Sequence, residues 1–184
     1  MRPAASRRRP HLFFSAFAIR ISLQSPPRPI HPREMEKLHF SIDVNAPKEK
    51  VWATMLDDAT YREWTRVFNK NGSWYEGDWT PGSTIRFIGP DDGGKLMGMV
   101  SQVRENRPYE YVSIEHLGII NDGKEDTTSD EVKKWSPAFE NYSFKEKNGV
   151  TEVSVDMDTQ EDYKEMFEGM WPKALQELKR LAER

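Results

Sequence analysis

The sequence predicts an α+β fold in which a curved antiparallel sheet of about seven strands wraps a long C-terminal helix, a helix-grip arrangement with two short helices after the first strand. Three observations predict it. From Thr159 onward, Tyr163, Met166, Phe167, Met170, Trp171, Ala174, Leu175, Leu178 and Leu181 recur at the three- and four-residue spacing of one helical face. Before that stretch, turn signals recur at close intervals and cut the chain into strand-length pieces. Ahead of those pieces, one alternating stretch meets Pro47 and gives way to helical periodicity.

The first strand is expected over residues 36 to 44, where Leu38, Phe40, Ile42 and Val44 alternate with polar neighbours. Pro47 suits a first helical position because its φ is fixed and its missing donor is not needed there; Val51, Trp52, Met55 and Leu56 give that helix an inward side. Asp57 or Asp58 can cap a second helix that carries Tyr61, Trp64 and Phe68 on one stripe. The turns Asn71-Gly72, Pro81-Gly82, Asp91 to Gly94, Asn106 to Pro108, Asn121 to Gly123 and Asn148-Gly149 then separate strands at roughly 73 to 79, 83 to 89, 95 to 104, 109 to 118, 137 to 147 and 150 to 157. Short connections make these an antiparallel meander. Residues 119 to 136 form an acidic, polar excursion without the Asp/Asn alternation of a calcium loop, and a solvated rim loop is expected there. The last helix opens with Thr159 and Asp162 in a capping-box spacing. Pro172 inside it costs about 3 kcal/mol, while each large apolar side chain buried on the stripe returns roughly 1.5 to 3 kcal/mol. The helix is therefore expected to survive, with a bend near Gly169 to Pro172.

Charge divides the chain. Residues 1 to 34 carry seven arginines against Glu34, a net of +6, so the whole-chain value of −3 leaves −9 for residues 35 to 184. An acidic body repels nucleic acid and anionic membrane surfaces. The leader's apolar run, Leu12 to Ile21, is interrupted by Arg20 and followed by four prolines, too short to span a bilayer. Three readings of the leader stand: translation starting at Met35, a targeting peptide, or a basic tail around Arg7-Arg8-Arg9. The absence of cysteine removes disulfides, thiolate nucleophiles and thiolate metal sites, and makes the cytoplasm the expected compartment.

From Met35 onward, an ordered set of short matches resembles the START-like (SRPBCC) superfamily. The residues that carry it are Val44-Asn45-Ala46-Pro47 with Val51-Trp52, Tyr61-x-x-Trp64 and Gly77-x-Trp79-x-x-Gly82-Ser83. His116-Leu117-Gly118, Asn141-Tyr142-Ser143-Phe144, Thr151-Glu152-Val153 and Trp171-Pro172-x-Ala174-Leu175-x-x-Leu178 complete it. Within the superfamily the chain is similar to the family named for the C-terminal domain of the activator of the ninety-kilodalton heat-shock protein ATPase. The resemblance implies a helix-grip fold around a cavity that relatives use for lipids, sterols, polyketides or other apolar molecules. It does not imply chaperone activation, because the activator proper carries a further N-terminal domain for which this chain has no room.

Strand parity supplies the chemical candidates. His116 shares a face with Val112 and Ile114, and Glu140 shares one with Ala138, Tyr142 and Phe144, so an imidazole, a carboxylate and a phenol are expected to point into the cavity. Trp64, Phe68, Trp79, Phe87, Met97, Met99, Met157, Met166 and Met170 are the candidates for contact area, since aromatic and thioether groups adapt to apolar guests. Trp52, Leu175 and Leu178 are assigned to the core. No cofactor or metal is expected: the four histidines, at 11, 31, 39 and 116, lack ligand spacing, and Gly93-Gly94-Lys95-Leu96 lacks the rest of a phosphate loop. The leading expectation is a non-catalytic protein that binds a small apolar or aromatic molecule. A cyclase- or hydrolase-type enzyme with His116 and Glu140 as acid and base is the second, and predicts those groups within reach of one bridging water. A module binding a chaperone or another protein is the third, and predicts an exposed apolar patch of several hundred Å².

Overall fold

The computed structural model describes residues 35–184; the expectations for the leader fall outside them. The chain runs β1 (Met35–Val44), α1 (Lys48–Leu56), α2 (Asp58–Trp64), a 3-10 turn (Thr65–Val67), β2 (Trp74–Glu76), β3 (Thr84–Pro90), β4 (Leu96–Arg107) and β5 (Tyr111–Asn121). It continues through β6 (Lys124–Asp126), α3 (Asp130–Lys133), β7 (Ala138–Lys147), β8 (Val150–Gln160) and α4 (Glu161–Ala182). The strands form one antiparallel sheet in the order β1-β8-β7-β5-β4-β3-β2, with β6 added beside the far half of β5. This is the expected helix-grip fold.

Alternation sets which side each strand buries. Leu38 and Val44 of β1, Ile85 and Phe87 of β3, Met99 and Val103 of β4, Val112 and Ile114 of β5, and Val153 and Val155 of β8 face the helices and join one core. Ile88 and Val100, of the opposite parity, and Ile120, which the extra residue Leu117 turns to the other side of β5, make a second, smaller cluster on the other face with Trp74 against them. Gly98 allows β3 to lie close: a Cβ there would stand 1.9 Å from the Phe87 carbonyl oxygen.

The helices cover the concave side. α4 buries Phe167, Trp171, Ala174, Leu175 and Leu178, and runs unbroken through Pro172, whose ring lies on the exposed face. The carbonyl of Glu168 that loses its intrahelical donor belongs to an exposed residue, where water can satisfy it. Trp64 donates its indole N–H to the Met55 carbonyl at 3.0 Å, and the Tyr75 hydroxyl donates to the Leu56 carbonyl at 2.8 Å. These two bonds tie α1, α2 and β2 together above the sheet.

Several local expectations need correction. Pro47 is the N-cap of α1 rather than its first residue, with φ −60° and ψ 149°, and Val51 donates to its carbonyl at 3.1 Å. Asp57 stands at the N-cap of α2 but makes no side-chain cap bond. The Thr159–Asp162 box does not form: Thr159 is still in β8, paired with Glu36 of β1 and almost fully buried, and α4 begins two residues later behind Gln160. Trp52 is half-buried at the rim, packed on Phe144 and Tyr109 at ring-centroid distances of 5.1 and 5.8 Å. Residues 119 to 136 are not one loop. β5 runs on to Asn121, turns through Asp122 and Gly123 at positive φ into β6, and α3 follows, capped by the Ser129 hydroxyl accepting from the Val132 amide at 3.3 Å.

Candidate functional site

Three adjacent strands bring the polar candidates together. Ser101 of β4 pairs directly with His116 of β5, and Ile114 of β5 pairs with Glu140 of β7, so His116 and Glu140 are diagonal neighbours on the inward face. Tyr142 lies two residues along β7 from Glu140 and shares its side. The register that places Ser101 opposite His116 depends on a shift between Val100 and Ser101, where β5 carries one extra residue, Leu117.

The side chains form a connected chain. The Ser101 hydroxyl lies 2.8 Å from His116 Nδ1, His116 Nε2 lies 3.5 Å from Glu140 Oε2, and the Tyr142 hydroxyl donates to Glu140 Oε1. All four residues are buried. Such a chain inside an apolar wall is uncommon unless each group finds a partner, because an unmatched buried polar group costs about 1–3 kcal/mol.

A cavity of about 30 Å³ opens onto this chain. Its polar floor is His116, Glu140 and Tyr142. Phe87 and Met99 of the sheet and Trp171 of α4 close two sides, and Tyr61, Trp64, Thr65 and Phe68 close the third. The rings interlock: Trp171 meets Phe68 at 5.0 Å, Trp64 at 6.0 Å and Tyr142 at 6.3 Å between centroids, and Phe87 meets Tyr61 at 6.1 Å and His116 at 6.3 Å. A void of this size holds roughly two water molecules. Among the described residues, only this void is left between the sheet and α4, and the protein's own rings fill the rest of the space.

Of the twelve residues expected at the site, Trp64, Phe68, Phe87, Met99, His116, Glu140 and Tyr142 meet around the cavity. Met157 is buried beneath it, its Sδ 3.1 Å from the Trp171 indole nitrogen. Trp79 packs on the outer side of Phe87 at 6.0 Å. Met166 and Met170 are half-buried along α4, and Met97 is half-buried near the start of β4. Tyr61, Thr65 and Trp171 of the cavity wall, and Ser101 behind His116, were not anticipated. Tyr61 and Trp171 were legible as stripe residues, but helix periodicity cannot tell a wall from a core; Ser101 shares the parity of Met99 and Val103, which would have placed it inward.

Burial first and the charge of Glu140 second push the phenols of Tyr61 and Tyr142 above the ordinary tyrosine value. In the unfolded chain these phenols ionise near pH 10; in the folded protein they stay neutral there, so the unfolded state binds fewer protons and stability falls as pH rises past that point. The expected loss is about 1.4 kcal/mol per pH unit for each tyrosine. Urea unfolding at several pH values above 10 measures the slope, and Tyr142→Phe should remove one tyrosine's share.

Other features bear on the alternatives. Among the described residues the exposed large apolar side chains are Leu96 and Tyr109, set near opposite ends of β4, so they make no contiguous patch. Among the described residues no cluster of three or more His, Asp or Glu is placed to hold a metal, and no helix is long and apolar enough to cross a membrane. His39 lies on the exposed outer face, its Nδ1 2.7 Å from Asp156 Oδ1.

Comparisons place this geometry among known proteins. The chain is similar to protein Mll3558 from Rhizobium loti, with a TM-score of 0.63 and 13% identity over 82% of this chain and 99% of that one. It is similar to protein NE0264 from Nitrosomonas europaea, with a TM-score of 0.61 and 12% identity over 79% and 92%. CalU16 from Micromonospora echinospora gives 0.54 and 15% over 84% and 81%. At these identities the likeness shows the fold. A comparison with curated proteins finds no match. The family model described as activator of Hsp90 ATPase homolog 1-like protein matches residues 45–183, from the end of β1 to the end of α4, and the chain belongs to that family.

Proposed function

We propose that this protein binds a small molecule in the cavity beneath α4, with the guest's apolar part against Trp64, Phe68, Phe87 and Trp171 and its polar group on Glu140, Tyr142 and His116. The observation that carries the proposal is the buried Ser101–His116–Glu140–Tyr142 chain ending at a cavity in an otherwise aromatic wall. A fold stabilised by packing alone has no need of a carboxylate there, since buried ion pairs and networks contribute little net stability. The cavity's volume selects a guest, or the buried end of one, of a few heavy atoms; a larger molecule must displace Phe87 or Met99. The cytoplasm is the proposed setting, on the strength of the missing cysteines. Incubation with a metabolite extract followed by native mass spectrometry tests the binding. A retained small species, lost or weakened in a Phe87→Trp variant that fills the space, is the expected result. No retained species, together with unshifted Trp64 and Trp171 indole resonances, overturns it.

One distance favours a second reading. His116 Nε2 and Glu140 Oε2, at 3.5 Å and buried, lie within the reach of one bridging water that an acid–base pair can use. If the retained species is chemically altered over time by the native protein and not by Glu140→Gln, the site is catalytic.

A further inference from the structure

We propose that the polar group this cavity accepts is a cation, a small alkylammonium seated on Glu140 between the aromatic rings; the inference rests on the binding reading above. The ten residues around the cavity include one carboxylate and no lysine or arginine. Glu140 is almost fully buried, and His116 is its ion-pair neighbour. A carboxylate has about four acceptor positions. The Tyr142 hydroxyl takes one on Oε1, His116 stands off at 3.5 Å on the Oε2 side, and capacity is left toward the void.

The charge of that floor depends on His116. When the Ser101 hydroxyl donates to Nδ1, the imidazole is neutral with its remaining proton on Nε2 facing Glu140, and the site carries one net negative charge. The groups facing Glu140, namely Tyr142, Tyr61 and His116, then offer protons and dipoles but no compensating positive charge. An ammonium entering the void supplies it. It also meets the π faces of the walls: Trp64, Phe68, Phe87 and Trp171 surround a space so narrow that a guest's charged head lies within the roughly 6 Å over which a ring attracts a cation. A neutral guest of equal size gains only the ring contacts. An anion meets Glu140 with like charge and is excluded. The net charge of −9 on residues 35 to 184 adds a long-range bias in the same direction. The volume agrees too, since about 30 Å³ admits an ammonium head and a short alkyl chain rather than a polycyclic body.

The test compares three probes of matched size, ethylammonium chloride, ethanol and sodium acetate, at constant ionic strength, following the indole resonances of Trp64 and Trp171. Ethylammonium is expected to saturate the shift at a concentration about tenfold or more below ethanol, and acetate to leave it unchanged. Glu140→Gln should bring ethylammonium and ethanol within about twofold of each other; the comparison in the native protein decides the question even if that variant does not fold. Ethanol matching ethylammonium in the native protein overturns the cationic preference and leaves the binding reading standing. Acetate binding as well as ethylammonium overturns it likewise. No saturable shift from any of the three overturns the cationic preference, and joined to no species retained from the extract it overturns both.

Discussion

Trp171→Ala is expected to lower the free energy of unfolding by about 3–5 kcal/mol. Trp171 is fully buried and central: Phe40, Trp64, Phe68 and Tyr142 all hold ring centroids within 6.3 Å of it. Its indole N–H points at Met157 Sδ, 3.1 Å away. Domains of this kind are stable by only about 5–15 kcal/mol in total, so the variant should be severely weakened, with a melting temperature lower by roughly 10 °C. The denaturant slope should stay the same, because the surface exposed on unfolding barely changes. The void left by the indole joins the existing cavity instead of standing alone. Added indole should therefore restore part of the lost stability in the variant while having little effect on the native protein. Urea unfolding with and without indole measures both. A loss under about 1 kcal/mol, or no recovery with indole, would mean that Trp171 does not separate the cavity from the core.

The same residue shows how far the sequence could be read. Its place on the α4 stripe follows from periodicity, as do the inward faces of β1, β5 and β7, and alternation alone put His116, Glu140 and Tyr142 on one side of the sheet. What alternation does not carry is register across strands that contain an extra residue. Leu117 shifts β5 against β4, and the sequence around it, His116-Leu117-Gly118, shows no more than a glycine. Gly118 is needed because β6 and its following residue lie against it: a Cβ would stand 2.2 Å from the Asp126 carbonyl oxygen. The stretch after Gly118 continues as strand because Ile119, Ile120 and Asn121 pair with Met99, Gly98 and Met97 of β4. At Thr159 the competition ran the other way, and pairing with β1 held the residue in the sheet where its hydroxyl could not cap α4. The cavity's volume was the least legible quantity of all. It is the small difference between a sheet's curvature and the summed bulk of several rings, and no local pattern encodes it.

Replacing Glu140, Tyr142 and His116 together by Leu, Phe and Leu, in a Ser101→Ala background that leaves no buried hydroxyl without its His116 partner, is expected to raise the stability of the protein by about 1–4 kcal/mol while abolishing binding. Replacing Glu140 alone by Leu should do the opposite, costing about 1–3 kcal/mol, because the Tyr142 hydroxyl is then buried facing an alkyl group. Each partner in the network is thus stabilising only in the presence of the others. Desolvating a carboxylate, an imidazole and a phenol offsets what their mutual contacts return, and apolar side chains of similar volume would fill the same space without that cost. A structural role for the network predicts that the triple variant is weaker than the native protein; a functional one predicts that it is stronger and inert. Urea unfolding of the native, single and triple forms distinguishes them, with the small-probe titration run on the triple form. If the triple variant loses stability by as much as the single one, the polar chain holds the fold together, and the binding site must be sought elsewhere on the molecule.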